Sequence, residues 1–206
     1  NNALGVTYME LGNYQIDSGK DPTKSLNMAA TGFQKALKQN ENYINGVLNF
    51  GITNYLIARY EMDHGKNPTK SFEQAESALK KGIKLSPNLA FSYYQLVNLA
   101  AAMVQYGTWF NQDVEKDFSE GKEYFDKGVS INPSFEPLYY AMSTLYLMRG
   151  HDALNHSVSP IEDLKFTNQF AEKALAMDPS SPWDYEIIAR SSMLEAEWKI
   201  LNKQAL

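Results

Sequence analysis

The sequence predicts an all-α fold, a stack of antiparallel helical hairpins, and three observations carry the prediction. First, one seven-residue stretch recurs every 46 residues. Lys35-Ala36-Leu37-Lys38-Gln39-Asn40-Glu41 is followed by Lys81-Gly82-Ile83-Lys84-Leu85-Ser86-Pro87, by Lys127-Gly128-Val129-Ser130-Ile131-Asn132-Pro133, and by Lys173-Ala174-Leu175-Ala176-Met177-Asp178-Pro179. A fixed period of roughly 20 to 50 residues marks a repeat array in which each unit buries its apolar face on its neighbours. Second, helix punctuation recurs in the same register. Third, small and bulky residues alternate at fixed phases, as interdigitated packing requires.

In chain order, Asn2 to about Ser18 is helical, with Leu4, Tyr8, Leu11 and Gln15 at helical spacing. Gly19-Lys20-Asp21-Pro22-Thr23-Lys24-Ser25 follows, and Gly65-Lys66-Asn67-Pro68-Thr69-Lys70-Ser71 is its copy. Gly19 and Gly65 suit the left-handed residue after a helix end. Asp21 and Asn67 suit N-caps, with Pro22 and Pro68 at the first helical position. The third copy has Asp113-Val114. The fourth, Ser159-Pro160-Ile161-Glu162, reads as a capping box. The helices these caps open, the B helices, run from about Pro22 to Gln39, Pro68 to Leu85, Val114 to Ile131 and Pro160 to Met177.

The A helices between them cover about Tyr43 to His64, Leu89 to Tyr106, Phe135 to Arg149 and Pro182 to Lys203, and the first helix is of the same type. Gly107 to Gln112 and Gly150 to Val158 read as the loosest segments. The array runs 1–206 as one domain, with repeats of roughly 1–42, 43–88, 89–134 and 135–180 and a final half-repeat helix at 181–206. The chain begins inside a repeat without an initiator Met, so it reads as a fragment of a longer protein.

Ala36, Gly82, Gly128 and Ala174 share one phase. Glycine inside a helix costs about 1 kcal/mol relative to alanine, so two of them at one phase imply that another helix passes close by. On the A helices Gly5 and Gly51 align with Val97, Ser143 and Ala189, beside the bulky Leu4, Phe50, Leu96, Met142 and Ile188. One turn earlier stand Val47, Tyr93, Tyr139 and Tyr185.

Composition narrows the function. A net charge of -5 with no basic block argues against nucleic acid. No apolar run is long enough for membrane insertion, and the expected compartment is the cytoplasm, with the periplasm open if a signal lies upstream. The chain has no cysteine, which excludes disulfides, thiolate metal sites and cysteine nucleophiles. No phosphate loop, nucleophile elbow or metal motif is present, so no enzyme activity and no cofactor is assigned. His151-Asp152 and His156 fall in one expected loop; a metal role there is weaker than a solvated polar loop, and no metal residue is assigned. His64 suits a helix C-terminus, where the dipole favours it. Asn155-His156-Ser157 is a formal glycosylation acceptor, and Asp17, Asp21, Asp63 and Asn67 around the turns do not match an EF-hand loop.

Leu4-Gly5-x-x-Tyr8 resembles the first half of a tetratricopeptide (TPR) repeat, and Ala75-x-x-x-Leu79-x-x-Gly82-x-x-x-x-Pro87 resembles the second. The resemblance covers essentially the whole chain and implies a right-handed TPR-like α-solenoid. The period departs from the usual 34 or so residues, and the surplus falls between the two halves of each unit. The long repeats with a Gly-x-Asp-Pro turn also look like TPR regions appended to bacterial Ser/Thr protein kinases, although no kinase motif is present.

In the TPR family the A helices line a concave groove. Carried onto this sequence, the resemblance implies Asn2, Val6, Met9 and Glu10; Asn45, Leu48, Ile52 and Tyr55; Phe91, Tyr94, Asn98 and Ala101; Tyr140, Thr144 and Leu147; and Trp183, Glu186 and Arg190. The aliphatics among them are expected in the core. The assigned partner-binding residues are Asn45, Tyr55, Phe91, Tyr94, Asn98, Tyr140, Thr144, Trp183, Glu186 and Arg190, a set rich in hot-spot residue types. Tyr94 stands where a chaperone-tail clamp needs Lys, which argues against that activity. The expected function is non-catalytic binding of a protein or peptide segment, as a regulatory or docking region of a bacterial signalling protein. Self-association through an exposed end and a small-ligand pocket in the groove are the alternatives.

Overall fold

The computed structural model describes residues 2–203; the outermost residues of the expected array, 1 and 204–206, lie outside them. Among the described residues there are nine helices and no strand: α1 (Asn2–Asp17), α2 (Thr23–Gln39), α3 (Ile44–Asp63), α4 (Thr69–Leu85), α5 (Ala90–Trp109), α6 (Glu115–Ile131), α7 (Glu136–Asn155), α8 (Ile161–Met177) and α9 (Pro182–Leu201). The odd-numbered helices are the A helices and the even-numbered ones the B helices. Their ends repeat at 46 residues without drift. The chain forms two compact units, Asn1–Gln95 and Leu96–Leu206, and α5 begins in the first and ends in the second.

The A-to-B turns explain this regularity. After each A helix the chain places one residue in the left-handed region: Gly19 (φ 66°), Gly65 (65°), Asn111 (53°), Ser157 (58°) and Lys203 (54°). The next amide then reaches back five residues to a helix carbonyl, from Lys20 to Gln15, Lys66 to Glu61, Gln112 to Gly107 and Val158 to Ala153, at 2.7–2.9 Å. This is the Schellman closure. Only the two glycines announced it in the sequence. Entry to the B helix is capped at three copies: the side-chain oxygens of Asp21, Asn67 and Asp113 accept from the backbone amides of Thr23, Thr69 and Glu115 at 2.8, 2.9 and 3.0 Å. No such bond is present at Ser159, and the capping box expected with Glu162 does not close.

The B-to-A turns repeat as well. The amides of Tyr43, Leu89, Phe135 and Ser181 donate to the carbonyls of Asn40, Ser86, Asn132 and Asp178. Where the turn carries proline, a tyrosine locks it: the hydroxyls of Tyr93, Tyr139 and Tyr185 donate to the carbonyls of Pro87, Pro133 and Pro179 at 3.1, 2.8 and 3.3 Å. The first copy has Glu41 and Val47 in place of proline and tyrosine, so partner and acceptor are lost together.

Packing places a large side chain against a small residue. In the first unit, a Cβ on Gly5 would come within 2.8 Å of the Phe33 ring, and one on Gly51 within 2.9 Å of Leu79. Gly82 receives Leu48 in the same way, at 2.5 Å, so the close approach expected at this phase is present. In the second unit a Cβ on Gly121 would lie 2.6 Å from Leu145 and 2.9 Å from the Ala100 Cβ. Phe33, Leu79, Phe118, Leu145 and Leu164 are among the side chains excluded from water.

The first part of each segment expected to be loose is helical. α5 continues to Trp109 instead of stopping near Tyr106, and α7 continues to Asn155 instead of stopping at Arg149. The glycines taken as stops, Gly107 and Gly150, are close-approach residues: a Cβ there would lie 2.7 Å from Val114 and 3.2 Å from Leu164. His151, Asp152 and Asn155 therefore sit on a helix, not in a loop.

Two substitutions test the turn and one the packing. Ser157→Gly should raise stability and Gly65→Ala lower it, each by about 1 kcal/mol, because the left-handed conformation penalises a Cβ. Gly121→Leu should cost about 1–3 kcal/mol by overpacking. Urea unfolding midpoints check all three; no change at Gly121 would mean that the helices part without cost.

Candidate functional site

The first unit presents A-helix surface on α1, α3 and the start of α5. Asn45 is exposed, while Tyr55, Phe91 and Tyr94 are half-buried. Phe91 and Tyr94 stack obliquely, with ring centroids 5.9 Å apart. The Arg59 guanidinium lies 6.0 Å from the Tyr55 ring centroid. Leu48 is buried beneath this surface against Gly82 and belongs to the core.

The second unit carries the richer surface. Asn98 on α5 is half-buried, as are Tyr140 and Thr144 on α7 and Arg190 on α9; Trp183 and Glu186 on α9 are exposed. Ala101 and Leu147, from the wider groove set, are buried in the core, as expected of the aliphatics. The Thr144 hydroxyl donates to the Tyr140 carbonyl at 3.0 Å, so it is spent within its own helix. Glu186 and Arg190 are 3.9 Å apart, one helical turn from each other. α7 and α9 pack against each other, which brings Tyr140 and Thr144 beside the helix that carries Trp183 and Arg190.

At the far end of this pair lies a hollow of about 580 Å³ lined by His151, Arg190, Met193, Leu194, Ala196, Glu197, Ile200 and Leu201. Its walls are largely aliphatic, and its charged groups are Arg190 and Glu197. His151 reaches it from α7; burial holds the imidazole below its ordinary range, and the Arg190 charge adds to this. His151, Met193 and Glu197 were not assigned to the site. The 46-residue ruler could have found them, because Met193 is the phase equivalent of Tyr55 and His151 stands one turn beyond Leu147.

A second hollow, of about 590 Å³, lies at the A-to-B turns of the same unit and is lined by Asp113, Glu115, Arg149, Asp152, His156, Glu162 and Asp163 among others. Several of its polar groups already serve the fold. The Arg149 Nε donates to the Asp163 Oδ1 at 2.8 Å, and the guanidinium lies 3.8 Å above the Phe118 ring. Thr108 donates to Asp152 at 3.3 Å. His156 Nδ1 meets the Asp152 carbonyl at 2.9 Å, as His64 Nδ1 meets that of Tyr60, so both rings cap A helices. Among the described residues no group of three or more His, Asp or Glu side chains is gathered as metal ligands would be, and no helix is long and apolar enough to cross a membrane.

One electrostatic feature stands apart. Asp184, in the first turn of α9, is fully buried, and neither of its carboxylate oxygens has a well-formed hydrogen bond. The groups acting on it are the Ser181 hydroxyl, the Glu136 carboxyl at the start of α7 and the Asp178 charge. Burial raises the Asp184 pKa. Burial and then the neighbouring Asp184 push Glu136 up to about 7. Burial thus biases both carboxyls toward their neutral forms, and the charge of Asp184 adds to the bias on Glu136.

No protein-family model matches the chain, and no curated protein matches it. Among solved structures, the crystal structure of MamA, a TPR-containing protein, is similar at 18% identity with a TM-score of 0.51, over 93% of this chain and 90% of that one. A second crystal structure of MamA aligns at 19% identity with a TM-score of 0.49, over 97% of this chain and 88% of that one. The likeness is one of fold: the chain has an all-α, TPR-like helical-repeat fold.

The carboxyl pair gives a pH dependence with a definite sign. The Glu136 pKa of about 7 in the folded state lies above the ordinary 4.5, so folding favours the protonated form. Its stabilisation is present at low pH and is lost as pH rises from about 4.5 through about 7. Between pH 5 and pH 8 the parent should lose on the order of 1 kcal/mol from this source, once solvent screening of the half-buried Glu136 is allowed for. Glu136→Gln should flatten that part of the profile; parallel profiles for the two proteins, by thermal unfolding, would refute the pairing.

Proposed function

We propose that the chain is a non-catalytic scaffold that binds a protein or peptide segment on its A-helix surface. The observation that supports this best is the composition of the α7–α9 surface. Exposed Trp183 and half-buried Tyr140 and Arg190 are the residue types that dominate binding energy at interfaces. Arg190 also lines the aliphatic hollow at the far end of this helix pair, which could take an apolar anchor, with Arg190 and Glu197 to orient it. Asn45, Tyr55, Phe91, Tyr94 and Asn98 extend the same A-helix phases in the earlier copies. The TPR-like fold suits such a role, and the resemblance to repeats appended to bacterial kinases suggests a docking or regulatory region in a signalling protein.

The test begins with a peptide library displayed on phage and selected against the purified chain. Trp183→Ala and Tyr140→Ala should each weaken selected peptides by about tenfold or more, the range of a hot-spot truncation. Retained helicity and melting temperature exclude unfolding as the cause. If both folded variants bind as the parent does, this surface is not the site.

A further inference from the structure

A third hollow, of about 340 Å³, lies wholly within the first unit and is lined from α2, α3 and α4. Its walls are mostly apolar: Leu37 on α2, Val47 and Phe50 on α3 and Ala78 on α4, with Gln74 and Lys81 of α4 also lining it. Small-ligand sites begin at about this size, roughly 300 Å³. None of these residues belongs to the Trp183 and Tyr140 surface, so this site and the proposed function fail or survive independently.

The chain itself shows what these phases hold elsewhere. Two 46-residue periods on, in the second unit, Tyr139 stands at the phase of Val47, Phe166 at that of Gln74 and Phe170 at that of Ala78, while Lys81 recurs as Lys173. Those rings pack together. Phe125 meets Tyr139 and Phe170 edge-on, with centroids 5.5 and 5.1 Å apart, and Tyr146 stacks on Phe166 and Phe170 at 5.0 and 5.7 Å. The Lys173 ammonium lies over the Tyr139 ring, 5.4 Å from its centroid. The first unit keeps the lysine and, as Phe33, the copy of Phe125, but has none of the three other rings. The hollow lies where they are missing.

We propose that this hollow binds a small molecule carrying a single aromatic ring, which takes the place of the missing tyrosine ring beneath Lys81. Apolar hollows take up small aromatic molecules, because the ring makes the close contacts that an empty wall lacks. An ammonium within about 6 Å of a ring face adds a cation–π attraction, the contact that Lys173 makes with Tyr139. The size decides between a small molecule and a protein partner. A hollow of this volume holds one ring and a short substituent, whereas a protein partner covers about 800 Å² on each side.

The probe is p-cresol, the tyrosine side chain as a free molecule, titrated into the isotope-labelled full chain and read by amide NMR shifts. Saturable shifts are expected at Leu37, Val47, Ala78 and Lys81, and none at Tyr139, Phe170 and Lys173, where the chain's own rings are in place. Restoring a ring should weaken binding about tenfold or more. Val47→Tyr does so from α3 and Gln74→Phe from α4; Gln74 is only half-buried, so the second variant serves if the first fails to fold. Lys81→Met, which keeps the apolar stem and removes the charge, should weaken binding about two- to fivefold. No saturable shift, equal shifts at the α7–α8 hairpin, or binding that neither ring-restoring variant weakens overturns the proposal. Unchanged binding in Lys81→Met overturns the placement of the ring beneath that lysine.

Discussion

The contact on which the rest of this structure depends is a large apolar side chain seated on a helix that has no side chain to resist it. Phe33 on Gly5, Leu79 on Gly51 and Leu26 on Gly12 hold an A helix to the B helix that follows. Leu48 on Gly82 closes the pair from the other side. Each such seat fixes both the distance and the axial register of two helices, because the knob fits only where the Cβ is missing or small. Helix ends that repeat at 46 residues without drift are the outcome. A slip of one residue in any hairpin would carry every later knob off its seat.

Turn chemistry enforces the same register from the ends. The Schellman closure after each A helix, the Asx cap before three of the B helices and the tyrosine–proline lock before three of the A helices each fix where the next helix begins. The lock also links core to turn: its ring is buried in two inner copies, while its hydroxyl closes a surface turn. This is why Val47 without a tyrosine hydroxyl coexists with Glu41 without a proline.

The repeat made the fold legible in the sequence. Period, helix type and the close approach at Gly82 all follow from stepping 46 residues and asking which residue types persist. The misreadings came from treating glycine as punctuation. Gly107 and Gly150 are packing residues, and the backbone turns occur four and seven residues later at Asn111 and Ser157. Neither Asn nor Ser declares a left-handed conformation by itself; only their phase relative to Gly19 and Gly65 does. Site residues were less legible. Side-chain type and helical phase identify Tyr140, Trp183 and Arg190, but the hollow that Arg190 lines depends on where α7 and α9 run relative to each other. The Glu136 and Asp184 carboxyls lie 48 residues apart, and only the packing of α7 against α9 makes them neighbours.

That carboxyl pair bears on how the α7–α9 surface behaves. Asp184 occupies the phase of Leu138 and Ser92, a position otherwise given to apolar or small residues. A buried carboxylate without a full complement of donors opposes folding unless it is neutralised. Here burial raises the Asp184 pKa toward the neutral form, and the nearby Asp178 charge adds to this. Asp178 itself stays ionised, because its carboxylate accepts from the Ser180 amide at 3.0 Å and hydroxyl at 2.6 Å, which lower its pKa. The N-terminal turn of α9, which carries Trp183, is therefore attached more weakly as pH rises through neutrality. The C-terminal half of α9 is held by Leu194 in the core and faces a different titrating group, His151. Trp183 fluorescence should thus change as pH rises through about 7 in the parent and not in Glu136→Gln.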